Sequence, residues 1–152
     1  MADGPTNATD TIIDALTQAV SETTVETMKA QNFHWNVKGM AFKPLHELFQ
    51  EIYEDHFAAQ DDLSERVKAL GGHAEGRLSA MVERSKLSES DGQIASVQMI
   101  EELAADQETL SKTLGDLAQS ADEIGDIVSH DLAVARQAAH DKFAWMLRAH
   151  LG

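Results

Sequence analysis

Four long stretches of this chain repeat apolar residues every three or four positions, and only one of the gaps between them is long. The first runs from about Asp10 to Lys38, with Ile13, Leu16, Val20, Thr24, Thr27 or Met28, Gln31 and Trp35 along one stripe. Thr9 or Asp10 can cap it, Asp14 suits the positive end of the helix dipole, and Gly39 stops it. The second spans Pro44 to Leu70, with proline near its first turn, Gly71-Gly72 at its end, and Leu45, Leu48, Phe49, Ile52, Ala59, Leu63, Val67 and Leu70 apolar. A looser segment, Gly71 to Ser96, holds a short helix near Leu78 to Arg84. The third helix begins after Ser96 and runs to about Gln119, along Val97, Ile100, Leu103, Leu110, Leu114 and Leu117. Ser120 with Glu123 spells a capping box, which predicts that a fourth helix opens there and carries Ile124, Ile127, Val128, Leu132, Ala135, Ala139, Phe143, Met146 and Leu147 to the end. Helices with one wide apolar face must bury it against each other. Short first and third joints make two antiparallel hairpins, and a connection of roughly 25 residues runs the length of the assembly. The expectation is an all-α four-helix bundle with one long crossover between the second and third helices.

The 152 residues suffice for one domain with a real core, expected over 1–152 with residues 1–9 as a short acidic tail. Only two prolines occur, which suits helices of this length. The absence of cysteine excludes disulfides, thiol nucleophiles and thiolate metal sites, and fits a reducing cytosol. No apolar run approaches the roughly 20 residues that span a membrane. Met1 to Asp10 holds acids and no Lys or Arg, unlike a signal peptide, so a cytoplasmic location is expected. Net charge is −14, from 26 acidic against 12 basic residues. That balance works against direct binding of nucleic acid and suits the handling of cations. Its plainer meaning is a solubilising acidic surface.

His34, His46, Asp61 and Glu65 are the residues with the most chemistry in their spacing. Two imidazoles and two carboxylates are a usual ligand set for a redox or Lewis-acid metal such as iron. On one chain they cannot meet. His46 and Asp61 stand 15 residues apart on one helix, roughly 22 Å at 1.5 Å per residue, against a metal–ligand bond of about 2 Å. His34 ends the preceding helix and stays near the His46 end. With His46 as zero, Asp61 falls near ~60° and Glu65 near ~100° around the helix, so all three share a stripe. A two-fold axis pairing two such helices antiparallel brings the histidine end of one against the carboxylate end of the other, giving two equal sites.

The run His34-Trp35-Asn36-Val37-Lys38-Gly39, then Phe42, Leu45-His46, Phe49, Tyr53 and Asp61-x-x-x-Glu65-Arg66, resembles the Dps family of mini-ferritins. The close of the chain, Trp145-Met146-Leu147-Arg148-Ala149-His150-Leu151-Gly152, is similar to that family's last helix. The resemblance covers essentially the whole chain. It implies a ferritin-like fold and a homo-oligomeric, dodecameric shell that oxidises Fe(II), preferably with hydrogen peroxide, and stores Fe(III) oxide inside. It assigns His34 and His46 of one subunit, with Asp61 and Glu65 of its partner, to the iron site, and makes Glu65 the bridging ligand. The family commonly has Asp four residues after His46; here that position is Gln50, a weaker ligand, which implies a looser second iron position. Trp35 is implied beside the site, taking up stray oxidising equivalents, with a core aromatic as the plain alternative.

Further acidic residues carry two more expectations. Glu47, Glu51 and Glu54 border the His46 stripe and would seed mineral, unless they are simply a solvated face. Asp126 and Asp131, and less well Asp122, resemble the acids lining the family's three-fold iron pores, where a carboxylate ring focuses cations. For Asp122 the plain alternative is an acid at a helix N-terminus. His56, His73, His130, His140 and His150 read as ordinary surface or core residues, Trp145 as packing, and Asp62 and Glu102 as solvated faces. Members of the family that bind DNA directly often carry a lysine-rich tail, and none is seen here; with −14 per copy a shell should repel phosphate, so direct DNA binding is not expected. The competing functions are a DNA-coating nucleoid protein with secondary iron chemistry, and a cage that has lost its oxidation chemistry. A larger ferritin is disfavoured, because the second and fourth helices lack a matching Glu-x-x-His pair.

Overall fold

Each periodic stretch becomes one uninterrupted helix in the computed structural model, which describes residues 7–152. The elements are α1 (Ala8–Asn36), α2 (Phe42–Ala69), α3 (Leu78–Arg84), α4 (Ser96–Glu123) and α5 (Ile127–Ala149). The fold is the expected ferritin-like one: α1 and α2 form one antiparallel hairpin, α4 and α5 the other, and the long crossover carries α3 against α1. No described helix is long and apolar enough to cross a membrane.

The helix ends differ from expectation in two places. The cap of α1 is Asn7, whose side chain accepts from the Asp10 amide at 2.8 Å, so Thr9 and Asp10 lie inside the first turn. Ala8 and Thr9 of the expected tail belong to α1, and residues 1–6 lie outside the described residues. The Ser120–Glu123 capping box is not used. Those residues complete α4, and the chain turns at Ile124-Gly125, where Gly125 takes φ +74°. Asp126 caps α5 instead, accepting from the Ser129 amide at 3.0 Å. An S-x-x-E pattern signals a start only if the preceding helix has ended, and Ala118 and Ala121 keep α4 packed past that point. Asp122 thus sits in the last turn of α4, the unfavourable end of the dipole, rather than at an N-terminus.

Two apolar clusters fill the bundle. One joins Leu16, Val20, Leu63, Val67, Leu114 and Leu117, and the other joins Phe33, Phe49, Ile52, Met99, Leu103 and Leu147. Between them along every long helix lies a belt of buried polar groups: Glu26 and Lys29 on α1, His56 on α2, Gln107 on α4, His140 on α5; Glu22 and Thr113 form a further buried polar pair within the first cluster. The belt explains why the α1 stripe differs from the one that apolar spacing predicts. Its inward face includes charged residues, while Trp35 and Met28 from the expected stripe are exposed. Ile127, Val128 and Trp145, expected to pack, are exposed as well. Lys29 is held by Asp106 at 2.9 Å and Glu102 at 3.3 Å, so Glu102 is an ion-pair partner and not a merely solvated acid.

Asp126 also pairs with Arg66 at 2.9 Å, and Arg66 donates to Ser129 Oγ at 2.9 Å, tying the end of α2 to the start of α5. Asp126→Ala removes a cap and strands the guanidinium. It should cost about 1–3 kcal/mol in chemical denaturation, whereas Asp131→Ala, on an exposed side chain, should cost less than about 0.5 kcal/mol.

Candidate metal centre

α1 ends where Val37 turns extended and buries its side chain, and Gly39 at φ +109° opens a tight turn closed by the Phe42 amide on the Gly39 carbonyl at 3.1 Å. This short link brings the last turn of α1 beside the first turns of α2. The two histidines then lock each other. His34 Nδ1 donates to the His46 carbonyl and His46 Nδ1 donates to the His34 carbonyl, both at 2.7 Å. The rings stack with centroids 3.8 Å apart and planes 14° from parallel. Phe42 stacks on the outer face of the His46 ring pair at 5.0 Å, and Tyr53 meets His34 edge-on at 5.3 Å.

The proton assignment follows from the acceptors. A backbone carbonyl cannot donate, so each Nδ1 must carry hydrogen and each neutral ring keeps its lone pair on Nε2. Among the described residues neither Nε2 has a hydrogen-bond partner. Metal-binding histidines are typically oriented by such a bond from the other ring nitrogen. The His34 carbonyl is also one of the orphan acceptors of a helix C-terminus, so the lock caps α1 at the same time.

At the far end of α2, carboxylate oxygens of Asp61, Asp62 and Glu65 all lie within 4.8 Å of one another, on exposed side chains. Asp62, expected on a solvated face, joins this group; its i, i+3 relation to Glu65 is the signal for the grouping. Among the described residues, no cluster joins these carboxylates with His34 and His46. The unbroken α2 keeps the two ends roughly 22 Å apart. The chain carries two half-sets of ligands.

The other candidates are placed as follows. Gln50 is half-buried one turn beyond His46, and its amide nitrogen donates to Glu54 at 2.6 Å, leaving its carbonyl oxygen uncommitted. Glu47, Glu51 and Glu54 are exposed. Trp35 is 60% exposed next to His34, so it is not a core aromatic of this chain. Asp122 and Asp131 are exposed. The Asp126 carboxyl is drawn below its usual pKa: burial opposes this, but the Ser129 and Arg66 contacts outweigh it. On the same α1–α2–α3 face, a groove of about 420 Å³ is lined by Met28, Phe57, Gln60, Leu78 and Val82. Phe57 and Leu78 there are 68% and 70% exposed.

Residues 13–152 match the family model of the ferritin-like domain. The chain is 35% identical over 136 residues to the DNA protection during starvation protein of Brevibacillus brevis, covering 90% of this chain and 91% of that protein. Its fold superposes on Dps from Staphylococcus aureus with a TM-score of 0.92 at 36% identity, covering 97% of this chain and 99% of that one. Dps from Vibrio cholerae O1, described as a member of a broad superfamily of ferritin-like diiron-carboxylate proteins, gives a TM-score of 0.92 at 26% identity, over 97% of this chain and 92% of that one. The stacked histidines, the carboxylate cluster, the one-crossover bundle and these likenesses agree: the chain belongs to the Dps family, within the ferritin-like proteins.

Proposed function

We propose that this protein stores iron and protects against it, as a homo-oligomeric, dodecameric shell that oxidises Fe(II) with hydrogen peroxide at sites shared across two-fold contacts. The observation that carries the reading is the reciprocal histidine lock, which leaves two imidazole nitrogens ready for a metal at one end of α2, with acids clustered at the other. A second copy turned end for end supplies each half-set with its complement. The apolar groove lined by Met28, Phe57, Leu78 and Val82 supports such a contact, since contiguous exposed apolar surface marks interaction sites.

In this reading His34 and His46 hold Fe(II), while Asp61 and Glu65 from the partner favour Fe(III), with Glu65 bridging. Each of two Fe(II) ions gives up one electron, the O–O bond of peroxide breaks, and two protons complete two waters. The protein's part is to bring the ions and the peroxide together. Gln50, neutral and engaged with Glu54, makes the second position looser. Trp35 stands beside the site to take up stray oxidising equivalents. Glu47 and Glu51 seed mineral, with Glu54 adding to them. Among the pore candidates Asp131 keeps a free carboxylate, Asp122 is exposed but less well matched, and Asp126 is largely spent on Arg66.

Two experiments test this. Light scattering combined with Fe(II) titration should find a shell of about twelve chains that consumes peroxide at about two Fe(II) per molecule, and Gln50→Asp should tighten the second Fe(II). A monomer, or a shell inert to peroxide, contradicts the reading. The DNA-coating alternative takes support from the Brevibacillus relative's name, but the charge of −14 per chain opposes it. No retardation of duplex DNA is expected in a gel shift with chelator near physiological salt, and clear retardation would favour that alternative.

A further inference from the structure

Midway along the bundle, each long helix contributes a buried polar group that neither half-site uses. Asp55 fixes the first proton. Arg136 grips its carboxylate at 2.7 and 3.2 Å. Burial works to raise the Asp55 pKa, but the bonds from His56 and Arg136 prevail and hold it far below the usual carboxylate range. An ionised carboxylate only accepts, so His56 Nδ1, 3.0 Å away, carries hydrogen. His56 Nε2 is then a lone pair, and it takes one N–H of Gln107 at 2.9 Å. The other Gln107 N–H goes to Glu26 Oε2 at 3.0 Å. The Gln107 oxygen therefore faces His140, whose Nδ1 donates to it at 2.7 Å. His140 Nε2 in turn faces Arg136 at 3.4 Å. One arrangement accounts for every one of these bonds, with Glu26 Oε1 and Arg136 Nε buried beside them without a partner.

On the two imidazoles an added proton has two places to go, and both are blocked. At His56 Nε2 it meets the Gln107 NH2. Turning that amide presents oxygen to His56 but sets NH2 against the Nδ1–H of His140. At His140 Nε2 the proton meets the Arg136 guanidinium. Protonation therefore breaks the network instead of titrating within it. Glu26 and His56 belong to the α1–α2 hairpin, and Gln107 and His140 to the α4–α5 hairpin.

We propose that His56, Gln107 and His140 form an acid-released latch between the two hairpins. It is independent of the metal reading. Burial keeps both imidazoles neutral in the closed bundle, below the ordinary value of 6.5, with His140 down to about 2. The opened state binds more protons, so the latch is fully effective above about pH 6.5 and weakens as pH falls below it. The remaining charged neighbours do not reverse this. Glu26 is pushed well above the carboxylate range by burial, and by Asp106 beside it, so acid favours its closed form. It is one group against two histidines. Lys29, bound to Asp106 and Glu102, stays charged throughout, since those contacts overcome its burial.

The test follows imidazole C2-hydrogen exchange at each histidine by mass spectrometry, beside backbone amide exchange, on the full-length protein across pH. His56 and His140 should gain protons only in step with loss of amide protection around Gln107, below about pH 6.5. Protonation of either ring under intact protection overturns the proposal, as does loss of protection with both rings neutral. Gln107→Glu supplies acceptors for both protonated rings, so its opening midpoint should fall by about half a pH unit or more. An unchanged or raised midpoint counts against the latch. The wild-type measurement decides the matter should that variant not fold.

Discussion

The length and straightness of α2 govern the chemistry this chain can do. Nothing between His46 and Asp61 is glycine or proline, and the helix runs unbroken through both. Imidazoles and carboxylates are held roughly 22 Å apart by the rise of the helix alone. No loop motion within the chain can close that distance while α2 stays folded. A metal that needs both ligand types needs a second chain.

Local structure then divides the work between the hairpins. All ligand candidates, the histidine lock and the apolar groove lie on the α1–α2 hairpin and the crossover. The α4–α5 hairpin completes the core and supplies Gln107 and His140 to the polar belt, with Arg136 beside them. The tight turn at Gly39 does two jobs, since it lets each histidine cap the carbonyl of the other and stacks their rings. Arg66, beside Glu65, anchors the carboxylate end of α2 to the cap of α5. Hydrogen bonds thus fix the direction of the two histidine side chains at one end of α2, while at the other end the Arg66 contacts hold the helix itself in place.

Much of this was legible because it depends on local rules. The four helices follow from apolar spacing, and the short helix over Leu78–Arg84 falls where it was expected. The half-set geometry follows from counting residues along α2. What escaped depends on tertiary partners. The inward face of α1 carries Glu22, Glu26 and Lys29, which look like surface residues until Thr113, Gln107 and Asp106 are placed opposite them. The Ser120–Glu123 pattern was a false start because α4 had not ended. His56 and His140 read as surface or core residues; both are buried, and their joint bond to Gln107 is invisible in one dimension. Trp35 and Trp145 are hydrophobic enough to be expected inside, yet both stand exposed on the single chain.

Subunit complementation tests the shared site most directly. A chain with His34→Ala and His46→Ala keeps its carboxylates, and a chain with Asp61→Asn and Glu65→Gln keeps its histidines. Each alone should form shells that oxidise Fe(II) at background rate. Co-assembled at random, half of the two-fold pairs are mixed and each mixed pair regains one of its two sites, so about a quarter of the wild-type rate should return. Mixed shells no more active than either parent would contradict a site built between chains.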